Sequence, residues 1–131
     1  MGKKNKKSAQ KADEVEKPIA IENSSNNHLR ECLDEIKTYE GVVGYILRNS
    51  TSAAIDLKDP TKIIDYAILS SSAFDASDVL VEDFGLGSVK SILVEGKDAK
   101  MLSLTIEENR VSVFMEKDAD SEKTLKRLRA L

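Results

Sequence analysis

Tryptophan is missing from the 131 residues, Tyr and Phe together make up only 5% of them, and there is one Cys and one His. A core built without Trp has to be filled by Ile, Leu, Val and Ala, and so few rings provide no platform on which nucleic-acid bases could stack. Cys32 has no second cysteine with which to close an internal disulfide. His28 and Cys32 stand four residues apart, a spacing that would bring both to one metal, but tetrahedral zinc needs further ligands and no other Cys or His exists. We therefore expect a surface His28, a buried Cys32, and neither metal nor cofactor. A thiol facing the core is inert, which also excludes a Cys-His nucleophile pair. With no activated nucleophile and no ligand set, we expect no enzyme.

Long apolar runs are absent too. No segment has the roughly 18 continuous apolar residues that would span a bilayer. The start of the chain has lysines where a secretory signal would have a hydrophobic region, so a cytoplasmic location is expected. Asn23-Ser24-Ser25 and Asn49-Ser50-Thr51 fit the glycosylation pattern, which matters only in an exported protein. Met1-Gly2 would suit myristoylation, but Lys6 occupies the position that needs Ser or Thr.

What is present is an apolar content of 40%, enough for a single domain core, and a net charge of −3 that is unevenly placed. Lys3, Lys4, Lys6, Lys7 and Lys11 come before any acidic residue, so the rest of the chain is more negative than the whole. A negative body repels phosphates, so specific nucleic-acid binding is not expected. Membrane contact would be peripheral at most, through these five lysines on an anionic surface. Residues 1–26 have few sizeable apolar residues and read as a disordered basic and polar tail, with the domain occupying 27–131.

Asn26 and Asn27 can cap a helix in which Leu29, Cys32, Leu33 and Ile36 share one face, ending near Tyr39-Glu40-Gly41. Val42 to Leu47 and Ala53 to Leu57 read as two strands joined at Asn49-Ser50-Thr51. Pro60 and Thr61 open a long helix through Ile63, Ile64, Ala67, Ile68, Ser71 and Phe74, to about Ala76 or beyond. Its apolar stripe is edged by Ala and Ser, which would let a second backbone approach, or which merely face water. Three strands follow, Val89 to Glu95, Lys100 to Ile106 and Arg110 to Met115, with turns at Gly96-Lys97-Asp98 and Glu107-Glu108-Asn109. Asp118 or Asp120 then caps a last helix bearing Leu125, Leu128 and Leu131. The expected fold is α/β, of the α+β kind: a five-stranded antiparallel sheet sandwiched by helices in the order αββαβββα.

This order, with Gly41 closing the first helix before a Val-Val-Gly strand, resembles the roadblock family of dynein light chains and GTPase-associated proteins. Gly87-Ser88-Val89-Lys90-Ser91-Ile92-Leu93-Val94-Glu95-Gly96 and Met101 to Ile106 are similar to that family's third and fourth strands. The chain departs from the family's pattern at Asn49-Ser50-Thr51-Ser52, where an Asp-Gly turn is usual, and in its last helix, which lacks a glycine. The resemblance implies a non-catalytic module that dimerises through the third strand and the middle helix and scaffolds or regulates a small Ras-like GTPase. Carried onto this chain, it places Ile64, Ala67, Ile68, Ser71, Phe74, Val89, Ser91 and Leu93 at an interface with a second copy or a related chain. A strand as apolar as Val89 to Val94 would also be an aggregation-prone edge if it stayed unpaired. Alternatives are a subunit of a membrane-associated complex tethered by the lysine tail and a profilin-like ligand-sensing domain. Gly85-Leu86-Gly87-Ser88 follows a helix and opens a strand, the reverse of a phosphate loop, and the acidic run Asp75, Asp78, Glu82, Asp83 lacks calcium-loop spacing. Limited proteolysis is expected to remove residues before about Asn26 and leave a folded core; equal protection of the tail and of Val89 to Val94 would refute that.

Overall fold

The structure, a computed structural model, describes residues 24–131, with side chains from Asn27 onward. The chain divides into two units, residues 1–31 and 32–131. Helix α1 (Ser24–Ile36) starts in the first and ends in the second. Asn26 and Asn27 lie inside α1 instead of capping it: Ser24 to Asn27 are all residues that can cap, so the pattern alone does not choose among them. Leu29, Cys32, Leu33 and Ile36 are all buried.

The second unit continues with β1 (Val42–Arg48), β2 (Ala53–Leu57), a 3-10 turn at Pro60–Lys62, α2 (Ile63–Phe84), β3 (Ile92–Glu95), β4 (Ala99–Ile106), β5 (Asn109–Glu116) and α3 (Ser121–Arg129). The five strands form one antiparallel sheet in the order β2-β1-β5-β4-β3. β2 and β3 are therefore the two edges and run in the same direction, with α2 as the long crossover between them. Asn49 Oδ1 holds the β1–β2 turn by accepting from the Thr51 and Ser52 amides, both at 3.0 Å. Asp59 starts the crossover by accepting from the Thr61 amide at 3.0 Å, and Gly85, with φ 61°, ends α2 in the left-handed conformation with its N–H on Val81 C=O.

The middle helix, expected to reach about Ala76 or beyond, runs to Phe84. Two expected boundaries move. The third strand begins at Ile92, because residues 87–91 make no ladder with β4. The last helix ends at Arg129, leaving Leu131 half exposed. Asp120, not Asp118, caps that helix, accepting from the Lys123 amide at 3.1 Å.

The register sorts the side chains between the two faces. Ile46, Met101 and Phe114 form a buried cluster against which Tyr66, Ala67 and Ala73 of α2 pack, together with Val43 and Leu57. Tyr66 stacks on Phe114 with centroids 4.4 Å apart. Tyr45, Val113 and Leu102 alternate onto the opposite face and are buried there. Tyr45 hydroxyl donates to Asp34 on that side at 3.1 Å, and Lys37 pairs with Asp56. α3 is tied to α1 where Arg127 meets Glu35 at 3.1 Å and Cys32 Sγ–H donates weakly to the Arg127 carbonyl at 3.9 Å. The hydrogen bond from Arg127, with a second from Tyr39, holds the Glu35 carboxyl below the usual carboxylate range. The support from this tie is present above the ordinary carboxylate pKa and is lost as pH falls through the lowered value.

Gly44 makes β1 possible. The ladder to β5 slips one residue between Val42 and Gly44, and a Cβ on Gly44 would lie 2.2 Å from Asp56 O and 2.7 Å from Leu57 Cα. Since both obstacles are backbone, Gly44→Ala is expected to cost at least about 2 kcal/mol. A urea midpoint within error of the parent's would contradict this.

Candidate interaction surface

α2 is apolar on more sides than the sheet can cover. Its inner face carries small residues beside two rings: Ser70 and Ser77 are buried and Ala67 and Ala73 half-buried, with Phe74 turned inward and Tyr66 on Phe114. Ser70 Oγ and Ser112 Oγ lie 2.6 Å apart, and Ser112 Oγ is 2.7 Å from Ser103 Oγ. This buried chain of three hydroxyls links α2 to β5 and β4 and fixes where along the sheet the helix rests. The small residues expected to admit a second backbone thus serve, on the inner side, to seat α2 on its own sheet; only Ser71 and Ser72 remain toward the outside.

The outer side presents large apolar groups. Ile64 is 73% and Ile68 60% exposed, and Leu69, Val79, Leu80 and Phe84 are also exposed. A soluble helix facing only water would have polar residues in these places. Ser71 is half-buried beside Ile64 and Ile68.

Phe74 is a correction to the expected surface set. It is 4% exposed, turned inward, and covered by the Arg110 guanidinium at 4.9 Å from its ring and Arg48 at 5.9 Å. Reading α2 as having a single apolar stripe put Phe74 with Ile64 and Ile68, whereas the helix places it with Ser70 and Ser77. Ala67 is likewise partly engaged in its own core.

β3 is short and is an edge. Leu93 is exposed and lies opposite Leu102, on the sheet face away from α2; Val94, opposite Met101, is on the α2 face and exposed too. Val89 and Ser91 are half-buried in the coil that precedes the strand. Among the described residues no strand pairs with β3 on the side away from β4, which makes it an edge that another strand could join. The structure therefore brings Ile64, Ile68, Ser71 and the β3 edge onto exposed parts of one unit, while Lys3, Lys4, Lys6, Lys7 and Lys11 lie outside the described residues. Leu69, Leu80 and Phe84 were not singled out from sequence; the low polarity of α2 all around its circumference was the available signal.

Between the end of α1 and the start of α3, a cavity of 330 Å³ is lined by Tyr39, Glu40, Gly41, Glu116, Asp118 and Lys123 among others. Its walls are charged, and the Lys123 ammonium sits 4.2 Å from the Tyr39 ring centroid. Tyr39, Gly41 and Ala119 give the same walls an apolar part. Among the described residues, no group of three or more His, Cys, Asp and Glu is placed to hold a metal ion, and no helix is long and apolar enough to cross a membrane. Burial raises the Cys32 thiol pKa, so it is a poor nucleophile where it stands.

No family model and no curated protein matches the sequence. Solved structures do match. A Roadblock/LC7 domain from Streptomyces avermitilis superposes with a TM-score of 0.63 at 15% identity, over 76% of this chain and 88% of that one. The fold is the roadblock fold. The gliding protein MglB from Thermus thermophilus superposes with a TM-score of 0.62 at 14% identity, over 88% of this chain and 91% of its own. MglC from Myxococcus xanthus gives 0.54 at 15%, over 78% and 91%. Against the roadblock fold, the αββαβββα order expected from the sequence is the one observed.

Because the serine chain is what seats α2, Ser112→Ala should strand the hydroxyls of Ser70 and Ser103 and cost about 1–3 kcal/mol. Chemical denaturation checks this, and an unchanged midpoint would mean that the chain does not position the helix.

Proposed function

We propose that this chain is a non-catalytic dimeric binding module that scaffolds or regulates a small Ras-like GTPase. The observation that supports it most is the pairing of an unsatisfied edge, β3, with an α2 whose outer face exposes Ile64 and Ile68. A second copy related by a two-fold axis would lay its β3 against this one and its α2 beside this one, satisfying both needs with one isologous contact. Each large apolar side chain fully withdrawn from water contributes about 1.5–3 kcal/mol, and two-fold symmetry counts every one twice. The contact residues in this reading are Ile64, Ile68, Ser71 and Leu93, with Ala67, Val89 and Ser91 at its margins. Phe74 acts from within, by supporting α2. A related chain could stand in for the second copy. Self-association is in keeping with a solved MglB described as having a tetrameric arrangement, which is 15% identical to this chain with a TM-score of 0.62. The GTPase partner follows from the roadblock resemblance, as does the absence of catalysis.

The measurement is mass by light scattering at micromolar concentration. The parent chain should be a dimer, and Ile68→Asp, which buries a carboxylate at the contact, should be a monomer with its fold intact. Lys126→Glu, at an exposed position on α3, should leave the mass unchanged. A folded monomeric parent, or a dimer indifferent to Ile68→Asp, would overturn the dimer. For the partner, addition of the parent chain to a Ras-like GTPase should change its nucleotide hydrolysis or retention, and no effect on either would remove the regulatory role.

A further inference from the structure

The end of β1 and the start of β5 put two cations side by side on the sheet. Arg48 stands directly opposite Arg110 in the ladder, and the same row continues to Thr105 on β4 and Ala53 on β2. Like charges directly opposed on neighbouring strands are destabilising, so something else has to hold them there. Phe74 supplies part of it. Both guanidinium groups lie over its buried ring, Arg48 at 5.9 Å and Arg110 at 4.9 Å from the centroid. The ring keeps the two forks close together and leaves their edges to other acceptors.

Acceptors are few. Among the described residues, the one ion pair that either Arg makes is Arg110 with Asp78 at 3.3 Å, longer than a good charge-assisted bond, and the Asp78 side chain is 64% exposed. Glu107 and Glu108, in the turn beyond Thr105, pair with neither Arg among the described residues. Thr105 is exposed beside Arg110. The row therefore carries two cations and a hydroxyl against one loosely held carboxylate. A second carboxylate would bring only two oxygens to these groups, whereas a phosphate brings three and a charge of about −1.5 to −2, which two guanidinium groups match. The acidic body acts against this only at a distance, where salt screens it.

We propose that Arg48, Arg110 and Thr105 form a binding site for a phosphate group, with Asp78 as its built-in competitor. One oxygen goes to each fork and a third to the Thr105 hydroxyl, and Asp78 swings into solvent as the phosphate enters. This goes beyond the reading of the chain as a GTPase-binding module and depends on neither the dimer nor that partner.

The test titrates the full chain, isotopically labelled, with inorganic phosphate against chloride at constant ionic strength. The Nε–H signals of Arg48 and Arg110 and the Thr105 amide are expected to shift together and saturate. Arg48→Gln and Arg110→Gln should each weaken binding by about tenfold. Asp78→Asn, which releases Arg110 and removes no donor, should tighten it by about threefold or more. Asp65→Asn, the same charge change at the other end of α2, should leave it unchanged. If either Gln variant disturbs the core beneath Phe74, Asp78→Asn still decides, because a pair that merely covers the ring gives no tightening. Equal tightening by Asp65→Asn would overturn the proposal, as would shifts centred away from this row, a drift that never saturates, or acetate that binds as well as phosphate. A phosphoserine peptide with neutral flanks should move the same signals, and whether it or inorganic phosphate binds more tightly tells an attached phosphate from a free one.

Discussion

The crossover helix is constrained by having only one sheet to lie on. α2 must connect two parallel edge strands across a five-stranded sheet, so it covers the middle of one face and leaves both margins open. It is seated by Ser70, Phe74 and Ser77, which are buried against the sheet, by Tyr66 stacked on Phe114, and by the hydroxyls of Ser70, Ser112 and Ser103, which find each other in a buried place. Ile64, Ile68, Leu69, Val79, Leu80 and Phe84 are left exposed.

That outward apolarity would be a liability in a chain working alone. The edge strand β3 adds a second one, because its backbone and its exposed Leu93 and Val94 are open to any strand that approaches. On the opposite face Tyr45, Val111, Val113 and Met115 are buried, and Arg127 and Glu35 tie α3 to α1.

Much of the fold was legible because the signals were local. Leu29, Cys32, Leu33 and Ile36 repeat at helical spacing and are all buried; Asp120 stands where a cap is needed; the turns after Glu95 and Ile106 have lengths that allow only antiparallel neighbours. The interaction surface was legible only in part. Spacing put Ile64, Ile68 and Phe74 on one stripe and the family resemblance placed that stripe at an interface, but 100° steps around an apolar helix do not say which of several apolar sides is inner. Leu80 and Phe84 were missed for the same reason, together with an end of α2 that the sequence marks only by Gly85.

Composition and periodicity alone determined that this chain has helices and strands in the order αββαβββα and that Cys32 is sheltered. These follow from hydrophobic spacing and turn chemistry, which act over a few residues. The tertiary structure decided the rest: that β2 and β3 are the edges, that Gly44 must lack a side chain because Asp56 and Leu57 come against it, that Ser70 turns in to meet Ser112 while Ser71 turns out, and that Phe74 is covered by Arg48 and Arg110. Each depends on residues far apart in the chain, and no local pattern encodes which of them will meet.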